Sequence, residues 1–438
     1  MDSSPAFSYR VSSVGINMWQ HYNILAAKYN ATNLGQGAPD YAGCESAKQA
    51  AAAIISNSDG AGDQYAPANG NAAMRNAVAY RIGLSHGRKY SADNAIITGG
   101  ATEAIYCSIL GLINPGDEVV VVEPYFDIYL GSIIHAGGIP KFVSLKPPHF
   151  ALADCEISLR QAISPKTKVL LLNYPHNPTG QVLDEATLKM VESIVVEHNL
   201  VLVYDEVYSF QQFEEADGDE KGKGMTTAHP MAVNFEALAQ RTIAIGSGGK
   251  TFSLTGWKVG WALSPNTALL QAVGVTKRFT LYSGALPLQM GLAAIWGADS
   301  QEGEAYVEMH RQELQAKHAF LHDALCTAGF DPLPSKGGYF LLVADRQTPK
   351  LLQNKAANAA INESGDSNDK VAEPMDVQVA VYWAEHIGVS CLPLSCFLSK
   401  DPSPQDDVYL RLTIAKKWET LHAARDKLVA YRCRQPLM

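Results

Sequence analysis

The sequence of 438 residues lacks any apolar run long enough to cross a membrane, although hydrophobic residues make up 47% of it. A membrane-spanning helix needs about 18 or more consecutive apolar residues. The N-terminus, Met-Asp-Ser-Ser-Pro, also lacks a basic region followed by an apolar one, and Arg10 is the only lysine or arginine before Lys28. We therefore expect no membrane partner, no secretory or transit peptide, and a cytoplasmic location.

Positive charge is scarce as well. The 35 lysines and arginines are outnumbered by 44 acidic residues, and the formal net charge is −9. Phosphate backbones demand a basic face, so we expect no nucleic-acid partner. The seven cysteines show no Cys-x-x-Cys spacing, which is typical of reduced thiols. His318 and His322 are four residues apart, but Ala319 stands where a zinc protease has its glutamate, so no metal site is expected.

What the sequence does contain is a series of short apolar runs that alternate with helical patterns. This alternation predicts an α/β fold with a mostly parallel sheet and helices on both faces. Five polar or glycine-rich segments directly follow predicted strands, namely residues 98–102, 123–126, 173–177, 205–208 and 246–250. Because the carboxyl ends of parallel strands form the ligand crevice of such sheets, these segments should meet in one site.

Two lysines eight residues apart mark the last of these segments, Gly246-Ser-Gly-Gly-Lys-Thr-Phe-Ser-Leu-Thr-Gly-Trp-Lys258. We expect Lys250 to lie in a turn at the end of a strand, with the surrounding hydroxyls and glycines suited to a phosphate. The stretch is not a P-loop, because Ala244 occupies the position of the first glycine. It is not a dinucleotide-binding fingerprint either, because Thr251 replaces the third glycine.

Other segments contribute groups that could act on a ligand. A helix predicted to begin near Gly100 would direct free N–H groups at a bound phosphate. Asp205 ends an apolar strand, and a charged carboxylate beside a core needs a cationic partner. Tyr125 and Phe126 both could present a ring to a ligand, and the spacing favours Phe126. Arg411 lies on a predicted strand that alternates apolar and polar residues.

The lysine stretch resembles the active-site segment of aminotransferases that use pyridoxal 5′-phosphate (PLP). It is most similar to the group of kynurenine aminotransferase, glutamine–phenylpyruvate transaminase and methionine aminotransferase. The resemblance runs from Gly35 to Arg411, outside insertions at 211–224 and about 353–374. It implies the α/β PLP-dependent transferase fold type I, with a large PLP-binding domain over 46–310 and a mostly parallel seven-stranded sheet. Residues 1–45 and 311–438 would form a smaller α/β domain.

The resemblance also implies a role for each candidate site residue. The catalytic residues would be Lys250, which forms a Schiff base with PLP and moves the α-proton, Asp205, which pairs with the pyridine nitrogen, and Tyr208. Cofactor binding would involve Gly100, Ala101, Thr102, Phe126, Asn177, Asp205, Tyr208, Ser247, Lys250, Lys258 and, from the neighbouring subunit, Tyr65. Substrate binding would involve Gly37, Asn177, Arg411, Trp19 and Tyr282, with Arg411 on the α-carboxylate. Ala101 stands where some relatives have a tyrosine over the ring.

The implied activity is transamination from an aromatic, glutamine, methionine or kynurenine-type amino acid to a 2-oxo acid, by a ping-pong mechanism in a homodimer with shared sites. A cysteine-S-conjugate β-lyase on the same PLP site is the alternative reaction. A PLP-binding regulator without catalysis is a third reading, against which the lack of a basic helix-turn-helix segment argues. Arg411 alone can be matched to a carboxylate-binding position, with Arg278 as the nearest unassigned arginine, so aspartate is disfavoured as a donor.

Overall fold

The structure is a computed structural model that describes residues 7–12, 18–214, 231–354, 373–400 and 407–434. Most of the two predicted insertions, 211–224 and 353–374, lies outside these residues. None of the helices in these ranges combines the length and the apolar character that a membrane crossing requires.

The described strands are β1 Thr32–Asn33, β2 Ala95–Thr98, β3 Glu118–Glu123, β4 Ile139–Ser144, β5 Thr167–Asn173, β6 Val201–Asp205, β7 Thr242–Ser247, β8 Gly260–Leu263, β9 Asp331–Pro332, β10 Phe340–Asp345, β11 Val389–Ser390, β12 Leu392–Pro393 and β13 Val408–Thr413. Strands β2 to β8 form a seven-stranded sheet in the order β2-β8-β7-β6-β5-β3-β4. Strand β8 is antiparallel to both neighbours, and the other pairs are parallel. The predicted mostly parallel seven-stranded sheet is confirmed.

The described α-helices span Tyr9–Ser12, Met18–Lys28, Glu45–Ile55, Ala72–His86, Ala101–Leu112, Ile128–His135, Glu156–Ala162, Glu185–Glu197, Glu236–Ala239, Gly248–Thr251, Thr267–Lys277, Leu286–Trp296, Glu302–Thr327, Met375–Tyr382 and Trp418–Arg434. Residues 348–354 are also helical. A π-helical turn, Trp383–Ile387, continues Met375–Tyr382 and ends at Gly388, whose φ of 82° breaks the helix.

The middle of each central strand is continuously apolar because helices cover both faces of the sheet. Val120 and Leu170 point to one face and pack in a core with the helix Glu185–Glu197. Val121 points to the other face and packs with the helix Ala101–Leu112. Alternate side chains of each strand therefore pack in two different cores. Because these strands are parallel, their carboxyl ends lie at the same edge of the sheet.

A second, antiparallel sheet carries the C-terminal part of the site. Its strand order is β12-β13-β10-β9, and it packs in a core with the helices Glu302–Thr327 and Trp418–Arg434. Arg411 lies in β13, opposite Leu342 of β10. The short parallel pair of β1 and β11 brings the chain that follows Asn33 alongside this sheet.

The lysine segment differs in one detail from the predicted turn. Residues Gly248–Thr251 form a short helical segment directly after β7, and the Ser247 hydroxyl accepts a hydrogen bond from the Lys250 N–H at 3.3 Å. In β7, Gly246 lies opposite Trp261, and a Cβ on Gly246 would come within 2.1 Å of the indole ring. Since Trp261 is buried and packs on Trp296, only glycine fits at this position.

We predict that Gly246→Ala destabilises the protein by about 3 kcal/mol, because a methyl group forced into a close-packed core displaces its neighbours. The matched control is Gly131→Ala in the helix Ile128–His135, where a Cβ would meet nothing within 4 Å. This control should be neutral or stabilising by up to about 1 kcal/mol, since alanine favours helix over glycine. Urea unfolding measures both, and equal stabilities of the two variants would contradict the prediction.

Candidate active site

The carboxyl ends of the parallel strands and the antiparallel sheet enclose a cavity of about 340 Å³. The cavity is lined by thirteen of the residues singled out in the sequence: Trp19, Gly37, Gly100, Ala101, Thr102, Phe126, Asn177, Asp205, Tyr208, Ser247, Lys250, Lys258 and Arg411. The five segments that follow predicted strands therefore meet at one edge, as expected from the parallel topology.

Two predicted site residues lie elsewhere in this chain. The Tyr65 side chain is 86% exposed, and its ring packs at 6.0 Å on that of Tyr282. Tyr65 borders a separate surface hollow together with the segment Ser283–Pro287. Arg278 lines another hollow, away from the cavity.

One end of the cavity is suited to an anion. The helix Ala101–Leu112 begins there, and its first N–H groups have no partner within the helix. Gly100 precedes it with a φ of 86°, and a Cβ at this glycine would lie 3.0 Å from the Lys258 amine. Ser247 and Thr102 line the same cavity. Backbone donors, hydroxyls and an ammonium group are the combination that binds phosphate.

Lys250 presents its amine to the middle of the cavity. The Lys250 Nζ lies 5.6 Å from the ring centroid of Tyr208 and 5.2 Å from that of Tyr339. Burial, together with the positive charge of Arg411, lowers the pKa of Lys250 from 10.5 to about 8. A larger fraction of the amine is thus unprotonated near neutral pH than in an ordinary lysine, which favours nucleophilic and base chemistry.

Asp205 is a buried carboxylate with neutral partners. Its side chain is 4% exposed, accepts a hydrogen bond from the Tyr129 hydroxyl at 2.6 Å and another from the Val207 N–H at 3.3 Å. Burial raises the pKa of Asp205 from 3.8 to about 6. No lysine, arginine or histidine of the described residues forms an ion pair with it. A ligand that brings a protonated nitrogen here would supply the missing cation.

Arg411 is a buried cation whose hydrogen-bond partners, like those of Asp205, are neutral. It is 1% exposed, and its guanidinium donates hydrogen bonds to Asn177 Oδ1 at 2.9 Å and to the Gly35 carbonyl at 2.7 Å. Its Nε has no partner within the described part of the chain, and burial lowers the pKa of Arg411 to about 9. The guanidinium lies 3.9 Å over the Phe340 ring. A ligand carboxylate would pair with this guanidinium.

The structure shows where Tyr125, Phe126 and His318 lie. Tyr125 is buried and stacks on Phe142 at 5.4 Å, whereas Phe126 lines the cavity, as the spacing favoured. His318 packs against Phe213, and the described residues contain no group of three or more histidine, cysteine or acidic side chains placed to hold a metal ion.

The sequence analysis missed Tyr129, Phe340 and Tyr339. Tyr129 lies three residues after Phe126, within one helical turn, and this spacing was the available signal for it. Phe340 and Tyr339 reach the site only because β10 pairs with the strand that carries Arg411, and that pairing has no local signature.

Comparison with known proteins points to one family. Residues 29–428 match the family model described as aminotransferase class I and II. The chain is 33% identical to kynurenine–oxoglutarate transaminase of Dictyostelium discoideum, over 96% of this chain and 95% of the relative. It is 31% identical to methionine aminotransferase of Escherichia coli, over 96% of this chain and 97% of the relative. The solved structure of N-succinyldiaminopimelate aminotransferase from Mycobacterium tuberculosis superimposes with a TM-score of 0.82 at 32% identity, covering 97% of this chain and all of that one.

The raised pKa of Asp205 has a consequence for the stability of the ligand-free protein. The folded state binds a proton near pH 6 that the unfolded state binds only near pH 3.8. Asp205 therefore stabilises the folded state fully only below pH 3.8. This contribution to the unfolding free energy, about 3 kcal/mol, is lost as pH rises through 6.

We predict that the unfolding free energy of the ligand-free wild type, minus that of Asp205→Asn, falls by about 2 kcal/mol between pH 4 and pH 7. The amide cannot ionise, so the variant lacks this contribution to the pH dependence. Urea unfolding at several pH values measures the difference. A difference that does not change with pH would show that Asp205 ionises normally.

Proposed function

We propose a donor class and residue roles for this chain, which belongs to the class I and II aminotransferases and is a PLP-dependent enzyme acting on amino acids and 2-oxo acids. The amino donor is an aromatic, glutamine, methionine or kynurenine-type amino acid, and the acceptor is a 2-oxo acid. The observation that carries this proposal is the lining of the cavity. Aromatic rings wall it, and Arg411 is the single arginine among the described lining residues.

The residues present fit PLP. Asp205, buried without an ion pair among the described residues, suits the protonated ring nitrogen, and the helix start at Ala101 with Lys258 and Ser247 suits the phosphate. Phe126 would lie against the ring. When bound, PLP supplies an electron sink for the bond broken at the substrate α-carbon.

Lys250 is the proposed catalytic base. Its Nζ would accept the proton from the substrate α-carbon and donate it one step later to the cofactor carbon bound to the amino nitrogen, a transfer worth about 10²–10⁴-fold in rate. The pKa of about 8 suits both directions, because the amine can release as well as take a proton near neutral pH. The same amine is the proposed point of attachment for the cofactor between turnovers.

Tyr129 and Asn177, the hydrogen-bond partners of Asp205 and Arg411, also have proposed roles. Tyr129 donates to the Asp205 carboxylate and would hold it in place for the ring nitrogen. Asn177 accepts from Arg411 through its amide oxygen, which leaves its amide N–H₂ to donate into the cavity beside the Tyr208 hydroxyl. These two donors would bind the ring oxygen of the cofactor.

The substrate carboxylate is assigned to Arg411, and the side chain to an aromatic wall. A Cβ at Gly37 would lie 2.6 Å from the Phe340 ring, so glycine there lets the backbone approach the carboxylate. Trp19 packs on Phe126 at 6.2 Å and donates from its indole N–H to Asp127 at 2.9 Å. A distal carboxylate would meet these rings and no second arginine of the described lining.

The named relatives act on different amino acids, and their names are those of transaminases. One is named for kynurenine, one for methionine and one for N-succinyldiaminopimelate. The aromatic wall favours the first two classes. The β-lyase alternative gains no support from these names, and we do not propose it.

We further propose a homodimer in which Tyr65 and Tyr282 act in the partner's site. Their rings pack on each other in the chain and are 86% and 47% exposed, which supports a role outside their own cavity. The proposed large domain over 46–310 contains the seven-stranded sheet, and the proposed small domain over 1–45 and 311–438 contains the four-stranded one. The seven cysteines are free thiols, which supports the proposed cytoplasmic location.

A panel of donors tests the substrate class. Kynurenine, phenylalanine, glutamine, methionine, aspartate and N-succinyldiaminopimelate are each assayed with phenylpyruvate, pyruvate and 2-oxoglutarate as acceptors. We expect kcat/KM for aspartate to be at least about tenfold below that of the preferred aromatic or sulfur-containing donor, since an unpaired carboxylate costs ~1.5–3 kcal/mol. Arg411→Lys is the control and should weaken all donors alike. A preference for aspartate or for N-succinyldiaminopimelate would contradict the proposal.

The shared site predicts a dimer and a role for Tyr65. Sedimentation at assay concentration should show a dimer, and Tyr65→Ala should weaken PLP affinity roughly tenfold through the loss of one hydrogen bond to a charged group. The matched control is Tyr80→Ala, since Tyr80 is also an exposed tyrosine and lies on the helix Ala72–His86. A fully active monomer would refute the shared site.

A further inference from the structure

The backbone carbonyl of Lys250 receives two side-chain hydrogen bonds. The Tyr339 hydroxyl donates to it at 2.8 Å, and the Gln211 amide donates to it at 3.4 Å. Tyr339 and Gln211 are both buried. The Lys250 segment is only one helical turn long, so its orientation depends on contacts such as these rather than on helical hydrogen bonds.

Tyr339 also lies beside the reactive amine. Its ring centroid is 5.2 Å from the Lys250 Nζ and 5.1 Å from the ring of Tyr208. A single side chain thus contacts both ends of the lysine, with its hydroxyl on the backbone and its ring near the amine. An amine at this distance from an aromatic face is restrained by a cation–π contact while it is protonated.

The backbone of Tyr339 connects this lysine to the strand that carries Arg411. The Tyr339 carbonyl accepts from the Thr413 hydroxyl at 3.0 Å and from the Ile414 N–H at 2.9 Å. The next residue, Phe340, places its ring 3.9 Å from the Arg411 guanidinium. Tyr339, directly before β10, and Phe340, its first residue, therefore contact the proposed base and the proposed carboxylate ligand from adjacent positions of the chain.

We propose that Tyr339 is a positioning residue that fixes Lys250 relative to Arg411. The proposal rests on the roles assigned above to those two residues. In an α-amino acid the carboxylate and the proton to be moved are attached to the same carbon. Because Arg411 holds the carboxylate, the position of the Lys250 amine relative to Arg411 decides whether it reaches that proton. Displacements of about 1 Å between reacting groups can cost up to about 10² in rate.

The variant Tyr339→Phe removes the hydroxyl and keeps the ring. We expect kcat to fall roughly tenfold while KM for the amino donor changes less than twofold, because Arg411 and the aromatic wall are intact. A second readout needs no substrate. The rate at which PLP added to the cofactor-free protein becomes fixed to Lys250 by borohydride should also fall roughly tenfold.

The matched control is Tyr41→Phe. The Tyr41 hydroxyl is also hydrogen-bonded in the interior, to His310 Nε2 at 2.9 Å, and Tyr41 does not line the cavity. It should lose as much thermal stability as Tyr339→Phe while keeping wild-type kcat and attachment rate. Gln211→Leu removes the longer of the two donors to Lys250 and should lower both rates by a smaller factor, which keeps the test valid if Tyr339→Phe folds poorly.

The outcomes are separable. Reduced kcat and attachment rate in Tyr339→Phe and Gln211→Leu but not in Tyr41→Phe support the positioning role. Wild-type rates in both of the first two variants, or equal losses in all three, overturn it and leave the proposed function standing. Wild-type protein in which borohydride fixes PLP to a peptide other than that of Lys250 overturns the proposed function itself.

Discussion

The site depends on two charges of opposite sign that are buried with neutral partners. Asp205 is held by a tyrosine hydroxyl and a backbone N–H, and Arg411 by an amide oxygen and a backbone carbonyl. Burying a charge without a counter-charge is unfavourable, as the shifted pKa values of both groups indicate. Ligands that bring a protonated nitrogen and a carboxylate would relieve both penalties, and this relief would favour their binding.

The two sheets contribute different groups to the site. The parallel sheet ends in Asp205 and in the segment of Lys250, where the cofactor is proposed to bind, and the antiparallel sheet provides Arg411. The amine and the guanidinium thus belong to different sheets, and their separation is set by contacts between the sheets. The hydrogen bond from Tyr339 to the Lys250 carbonyl is one such contact. Arg411 lies on a strand and the segment of Lys250 directly follows one, which favours a reaction in which small displacements cost rate.

The walls of the cavity bear on the choice of substrate more than its charges do. Trp19 is oriented by Asp127. Trp19 and Phe340 lie over the Arg411 guanidinium, and Phe126 lines the same cavity. Every α-amino acid can use the carboxylate site, so discrimination must come from the side-chain wall. An aromatic wall accepts rings and thioethers, and the described lining offers a distal carboxylate no second arginine.

The sequence by itself determined the strands of the large sheet other than β4 and the five segments that meet at its edge. Apolar periodicity is a local property, and in a parallel sheet the strand ends must share an edge, so Asp205, Lys250 and the helix start at Ala101 could be placed together before any coordinates. Tertiary structure alone decided which groups surround them. Tyr129 reaches Asp205, and Tyr339 reaches Lys250, across sequence separations of 76 and 89 residues. Such contacts depend on how helices and a second sheet pack against the first, and packing between distant segments leaves no pattern in the local sequence.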